Sequence, residues 1–165
     1  MKKFRKLIMK ELPHVMRYAT ALTGNYHSAE ELLAQSLVRA LKIAEHRDKK
    51  LSLRYWLLAI LSNIYNDPYN NFATKVQNNH ASNIKIKAES KFDQLFLQEL
   101  QTALHRLPPF QKQVFLLVTL EEIPYKDITS IIDLPLNKIM ALLQQSRQSL
   151  RQLTTPTDSK IEVAS

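Results

Sequence analysis

The sequence predicts an all-α protein of two small helical domains. Three observations carry that expectation. A single glycine in 165 residues leaves few tight turns of the kind a sheet needs. Apolar residues recur at steps of three and four instead of two. A polar stretch at 70–90, "NNFATKVQNNHASNIKIKAES", breaks that period between two blocks. With 45% hydrophobic residues, a chain of this length can bury real cores. The expected organisation is a first helical domain over 1–72, a flexible linker over 73–92, a helix-turn-helix domain over 93–153 and a flexible tail over 154–165.

In the first block, "LPHVMRYATALTG" reads as a helix closed by Gly24 as C-cap. "SAEELLAQSLVRALKIAEH" follows, with Ser28 as N-cap and Glu31 at the spacing of a capping box. Leu33, Leu37, Ala40, Leu41 and Ala44 fall on one face of it, and Glu31, Gln35, Arg39 and Lys42 lie away from that face. "SLRYWLLAILSNIYND" repeats the arrangement through Leu53, Trp56, Leu57, Ile60, Leu61 and Ile64, and Pro68 should end it.

In the second block, "FDQLFLQELQTALHRL" is an amphipathic helix stopped by Pro108 and Pro109, and "FQKQVFLLVTLEE" is the next. After Pro124, "YKDITSIID" and "NKIMALLQQSRQSLRQL" are separated by a turn of the length found in a helix-turn-helix, with Asn137 as N-cap. The spacing places Trp56, Phe96, Phe110 and Phe115 in the core.

Composition narrows the function. There is no cysteine, hence no disulfide framework and no thiolate nucleophile, which fits a reducing cytoplasm. The basic start is not followed by a clean apolar stretch, because Lys10, Glu11 and His14 interrupt it, and no apolar run approaches the roughly 20 residues of a membrane span. A soluble, cytoplasmic protein with no membrane insertion is expected. The five histidines have no metal-ligand spacing, and no glycine-rich phosphate loop exists. We therefore expect no enzyme, no metal and no cofactor. The net charge of +8 points to a polyanionic partner such as nucleic acid. That charge is uneven: residues 1–72 carry twice as many Lys and Arg as Asp and Glu, whereas residues 93–153 carry equal numbers.

The order of these segments resembles the bacterial RNA polymerase sigma factors of the extracytoplasmic-function (ECF) group. "SAEELLAQSLVRAL" is similar to the family's D-A-E-D-L-V-Q-E-T-F-L-R-A, and "WLLAILSN" to W-L-F-x-I-x-R-N. In the second block, "LPPFQKQVFLL" is similar to L-P-x-x-x-R-x-V-F-x-L, and "YKDITSIIDLPLNKI" to Y-x-E-I-A-x-I-L-G-I-P-x-G-T-V. The resemblance implies a domain 2-like bundle and a domain 4-like helix-turn-helix, with core RNA polymerase, promoter DNA and an anti-sigma factor as partners. It assigns Glu30, Glu31, Gln35 and Arg39 to the core-polymerase contact. It assigns Asn63, Tyr65, Asp67 and Tyr69 to capture of the opened promoter strand, which in physical terms means stacking and hydrogen bonding to extruded bases. In domain 4 it assigns Asn137, Lys138, Ala141, Gln144, Gln145 and Arg147 to DNA.

The chain departs from the family pattern where DNA is read. Ser62 replaces an arginine, and Pro68, Asn70 and Asn71 replace a basic run. Phosphate neutralisation would then fall to Lys75, Lys85 and Lys87 or to Lys2, Lys3, Arg5 and Lys6, residues that read equally as a solvated tail. In the recognition helix Ile139, Leu143, Ser146 and Leu150 suit the core, but Met140, Leu142 and Gln145 stand where the family has Lys and Arg. Gln144 and Gln145 can pair with adenine edges. Met140 and Leu142 suit a protein partner better. Two readings follow: an ECF-type sigma factor with a rewritten promoter preference, or a sigma-like mimic that occupies an anti-sigma factor without reading DNA. Such mimics usually carry a fused receiver domain, and its absence from these residues favours the sigma factor.

Overall fold

A computed structural model of the protein describes residues 1–73 and 91–154, with only the backbone described for 91–97 and 154. Seven α-helices account for about four-fifths of these residues, and among them there is no strand. The first group is α1 (Lys2–Thr23), α2 (Tyr26–Lys42) and α3 (Leu53–Asn66); the second is α4 (Lys91–Arg106), α5 (Pro109–Thr119), α6 (Tyr125–Ile132) and α7 (Leu136–Thr154). Most of the linker expected at 73–92, with Lys75, Lys85 and Lys87, and all but the first residue of the expected tail lie outside the described residues.

In the first group α1 packs on α2 and α3, and α2 on α3. The basic residues Lys2, Lys3, Arg5 and Lys6 occupy the exposed first turns of α1, so the helix begins well before the segment the sequence marked. It runs through Pro13 although proline lacks the amide proton and crowds the preceding turn, because Ile8, Val15, Tyr18, Ala19 and Leu22 anchor it on both sides of that residue. Gly24 closes it in the left-handed region at φ 71°, as expected. The capping box does not form. Asn25 is the N-cap of α2, its side-chain oxygen accepting from the backbone N–H of His27 and Ser28, which starts the helix two residues before the expected Ser28 cap. The buried face of α2 is also rotated: Ala29, Leu32, Ser36 and Ala40 form its centre, and Leu33, Leu37 and Leu41 flank it half-buried. Ser36 tolerates this position because its hydroxyl donates to the Leu32 carbonyl at 2.7 Å.

Ser52 caps α3 by accepting from the Tyr55 N–H, and the helix ends at Asn66, two residues before Pro68. Leu57, Ile60, Leu61 and Ile64 are buried as predicted, and Trp56 meets Phe4 edge-on with ring centroids 6.2 Å apart. A second stripe, Leu58, Ser62 and Tyr65, is buried as well. That stripe has helical spacing and accounts for the burial of α3 on more than one face.

In the second group α5 and α6 pack on α7, with α4 also against α7. Ile128, Ile131, Ile132, Ile139, Leu143, Ser146 and Leu150 supply a tight core, so the core positions read from "NKIMALLQQSR" hold. Three expectations are corrected. Leu142 is only 6% exposed and belongs to the core, not to a partner surface. Phe110 is 41% exposed and lies outside it, because Pro109 starts α5 with the next residue turned to solvent. Asn137 sits inside the first turn of α7, which starts at Leu136, and does not cap it. The side chain of Phe96 lies outside the described residues.

Asp133 ends α6 in the left-handed region at φ 60°, a conformation that brings an L side chain too close to the backbone. Asp133→Gly is expected to raise stability by about 1 kcal/mol, measured as a higher urea midpoint with unchanged slope.

Candidate polymerase and nucleic-acid surfaces

The three clusters assigned from the sequence lie on separate parts of the molecule. On α2, Glu30, Glu31 and Arg39 are exposed and Gln35 is half-buried. Gln35 and Arg39 line a shallow groove of about 470 Å³ with Ala34, Val38, Lys42, Ile64 and Asn70. Val38 is 54% exposed in this groove, an apolar residue that sequence reasoning missed; its signal was a valine standing off the core stripe of an amphipathic helix. An apolar centre ringed by Gln, Arg and Lys is what a protein-docking surface requires.

At the C-terminal end of α3 the four assigned residues do not share one surface. Asn63 is exposed, Tyr69 is 92% exposed, and Asp67 is half-buried, its carboxylate accepting from the Tyr69 N–H at 3.0 Å. Tyr65, by contrast, is 1% exposed, with the Lys112 ammonium 5.7 Å from its ring centroid. Its ring is therefore buried, with Lys112 of α5 over it and α6 packed on α3, and not presented to solvent for stacking.

On α7, Asn137, Lys138, Gln144 and Gln145 are exposed, while Ala141 and Arg147 are half-buried. Asn137, Ala141, Gln144 and Arg147 line a cleft of about 820 Å³ with Tyr125, Met140, Leu143, Gln148 and Arg151. Tyr125 and Gln148 were not assigned from the sequence, since a residue at the start of the first helix of the pair has no periodic link to the second. No acidic side chain lines this cleft, so its charge is positive despite the neutral balance of the second block. Gln145 is turned toward α5, where its side-chain oxygen accepts weakly from Gln111 at 3.4 Å.

Between the two groups runs a seam in which polar pairs accompany a continuous hydrophobic core. The side-chain amides of Asn66 and Gln113 pair reciprocally, at 3.0 Å and 2.7 Å. Arg17 of α1 forms an ion pair with Glu121, just after α5. Gly24 lies against His105, and a Cβ on that residue would fall 2.0 Å from the imidazole, so the C-cap glycine serves the seam as well as the helix. The Tyr18 and Ser62 hydroxyls face each other without reaching hydrogen-bond geometry, and both tyrosines, Tyr18 and Tyr65, are pushed well above the ordinary phenol value by burial. Burial also lowers the Lys112 ammonium to about 8.

These shifts fix a pH dependence. Between pH 8 and the ordinary lysine value of 10.5, the folded protein holds fewer protons at Lys112 than the unfolded chain, so stability rises with pH. Above the ordinary tyrosine value of 10.0 the unfolded chain loses phenolic protons that the folded one keeps, and stability falls. Denaturant midpoints across this range are expected to peak at about pH 10, and Lys112→Met to remove the rise while leaving the fall.

With this geometry in place, the kind of protein follows: a two-part helical molecule whose second part is a helix-turn-helix and whose first is a three-helix bundle. The family described as "Sigma2 domain of PhyR" matches residues 8–62, and "Sigma-70, region 4" matches residues 97–150. Both helical groups thus match sigma-factor domain families, in order along the chain, and the chain as a whole is similar to sigma factors of the ECF group. It is 26% identical over 148 residues to the ECF RNA polymerase sigma factor EcfG of Rhodopseudomonas palustris, covering 88% of this chain and 82% of that one. It is 24% identical over 153 residues to the ECF RNA polymerase sigma factor SigE of Mycolicibacterium smegmatis, with 88% and 59% covered. It is also 24% identical over 146 residues to the Phyllosphere-induced regulator PhyR of Methylorubrum extorquens, of which it spans about half, 48% against 88% of this chain. In fold it is similar to the sigma factor RpoE of Bartonella quintana, solved in complex with the anti-sigma factor NepR, with a TM-score of 0.73, 22% identity, and 93% of this chain and 97% of that one covered. Among the described residues no helix is long and apolar enough to cross a membrane, and no three metal-ligating side chains gather.

Proposed function

We propose that this protein is an ECF-type sigma factor that binds core RNA polymerase and directs initiation at promoters of unusual sequence. The observation that carries the reading is the joint match of both sigma domains, in order, to a chain whose α2 face and α7 cleft keep exposed polar and basic groups. Glu30, Glu31, Gln35 and Arg39 contact core polymerase, with Val38 at the centre of the patch. Asn63, Tyr65, Asp67 and Tyr69 take the opened strand, and Asn137, Lys138, Ala141, Gln144, Gln145 and Arg147 face duplex DNA. With Lys138, Arg147 and Arg151 as the cations on this helix, phosphate contacts are few, so the salt dependence of duplex binding is shallow. Residues 1–72 and 93–153 act as separate domains joined by 73–92, in the cytoplasm and without catalysis of their own. Purified protein mixed with core polymerase is the direct test: co-elution that Val38→Asp abolishes supports the reading, and no co-elution of a folded protein contradicts it.

A second reading has its own support. The first block matches the sigma2 domain of PhyR, and PhyR itself is among the relatives. Met140 is 52% exposed in the α7 cleft, where a nucleic-acid reader gains nothing from a thioether. A sigma-like mimic that binds an anti-sigma factor would use this face for protein. It would bind that factor with no measurable affinity for DNA at low salt, which separates it from the first reading.

A further inference from the structure

We propose that the seam between the two helical groups is an autoinhibitory latch, in which Lys112 and Gln113 of α5 hold the Tyr65–Asn66 end of α3 covered until the groups separate. The inference rests on the assignment of that end of α3 to the opened DNA strand. Tyr65 and Ser62 are each 1% exposed, on a stripe of α3 that meets Tyr18 of α1 on one side and the second helical group on the other. The covering groups come from the second helical group: Lys112 over the Tyr65 ring, and Gln113 paired with the Asn66 amide. A cation above the ring face and an amide paired edge to edge are the contacts that a nucleotide's bases would need from Tyr65 and Asn66. The second group thus competes with the strand for the same atoms.

The seam is also built to open. One hydrophobic core runs through both groups, but the directional contacts between them are a few polar pairs, Asn66 with Gln113 and Arg17 with Glu121, which water can replace when the groups part. The seam encloses an apolar cavity of about 430 Å³ lined by Ala21 of α1, Leu100 and Leu104 of α4, and Phe115, Leu116 and Leu120 of α5. Outside that cavity, the Tyr65 hydroxyl and one carboxylate oxygen of Glu121 are buried with no hydrogen-bond partner in the protein. Voids and unmatched polar groups weaken closure, since both are relieved when water enters.

The test uses the full chain, which has no cysteine, so introduced thiols are the only ones. Spin labels at the exposed positions Lys49→Cys and Gln152→Cys report the separation of the groups. The wild-type protein should give one short distance, and Gln113→Ala combined with Arg17→Ala should lengthen and broaden it. The same pair of substitutions should raise affinity for a fluorescein-labelled AT-rich single strand about tenfold, because the competent state is no longer a minor one. In a separate protein carrying Asn66→Cys and Gln113→Cys, a short bis-maleimide across the two thiols should lower that affinity at least about tenfold relative to the uncoupled protein. A wild-type distance that is already long and broad, or a coupled protein that binds the strand as well as the uncoupled one, overturns the latch; the coupled protein decides the matter even if the opening variant does not fold. Distances that respond as expected with no strand bound in any state would uphold the closure and instead defeat the assignment of the α3 end to DNA.

Discussion

Arg17→Ala is expected to lower stability by about 3 kcal/mol, and Glu121→Ala by much less. The asymmetry follows from where the two ends of the ion pair sit. The Arg17 side chain is 49% exposed and the Glu121 side chain 2%. Removing Arg17 strands a carboxylate in the seam, and its second oxygen already lacks a partner. Removing Glu121 leaves a guanidinium that water can solvate, and it deletes a buried charge whose desolvation opposed folding. The loss in Arg17→Ala is limited by escape: once the groups separate, Glu121 reaches water, so the variant should melt in two steps where the wild type melts in one. Urea denaturation followed by Trp56 fluorescence in the first group and by far-UV circular dichroism over both would show this. Equal losses in the two variants would mean that the pair behaves as a surface contact.

Leu117→Ala is expected to lower stability by about 2–5 kcal/mol, a large part of the 5–15 kcal/mol typical of a whole domain. Leu117 is fully buried in the core of the second group, where α5 packs between α6 and α7, and truncation leaves a cavity that three helices cannot close together. Phe110→Ala, two turns earlier on the same helix, removes a larger side chain that is 41% exposed and should change stability by less than about 1 kcal/mol. Thermal melts of the two variants side by side discriminate the buried from the exposed position on one helix. The helix-turn-helix of Leu117→Ala should unfold before the first group does, losing duplex binding while α2 and α3 persist.

Most of the fold was legible in the sequence because its signals are local. The periodic apolar residues of α3 and α7, Gly24 at the end of α1 and Pro108–Pro109 between α4 and α5 each act within a turn or two of the chain. The errors came where a local cue had a competitor nearby. Asn25 outcompeted Ser28 as the cap of α2 because it lies in extended backbone with its amide oxygen over the first free N–H groups. The face of α2 was misplaced by one residue because Ser36 reads as polar, although its hydroxyl is satisfied within its own helix. Leu142 and Phe110 exchanged roles for a simpler reason: each apolar stripe is wider or narrower than periodicity alone specifies.

The candidate site was legible only in part. Glu30, Asn63 and Lys138, assigned from the resemblance to ECF sigma factors, are exposed. Tyr65 could not be placed from sequence, since its burial depends on Lys112 and Gln113, 47 and 48 positions further along the chain. Long-range polar contacts of this kind leave no periodic trace. The same holds for the union of Arg17 with Glu121 and of Gly24 with His105, which are further contacts between the two helical groups.

Transcription by core polymerase on a library of genomic fragments, with and without this protein, tests the central claim most directly. Initiation at defined start sites, lost on Asn63→Ala and weakened on Lys138→Ala, is the predicted result. A folded protein that supports no initiation and shows no salt-dependent binding to DNA would contradict it and leave the sigma-like mimic as the reading.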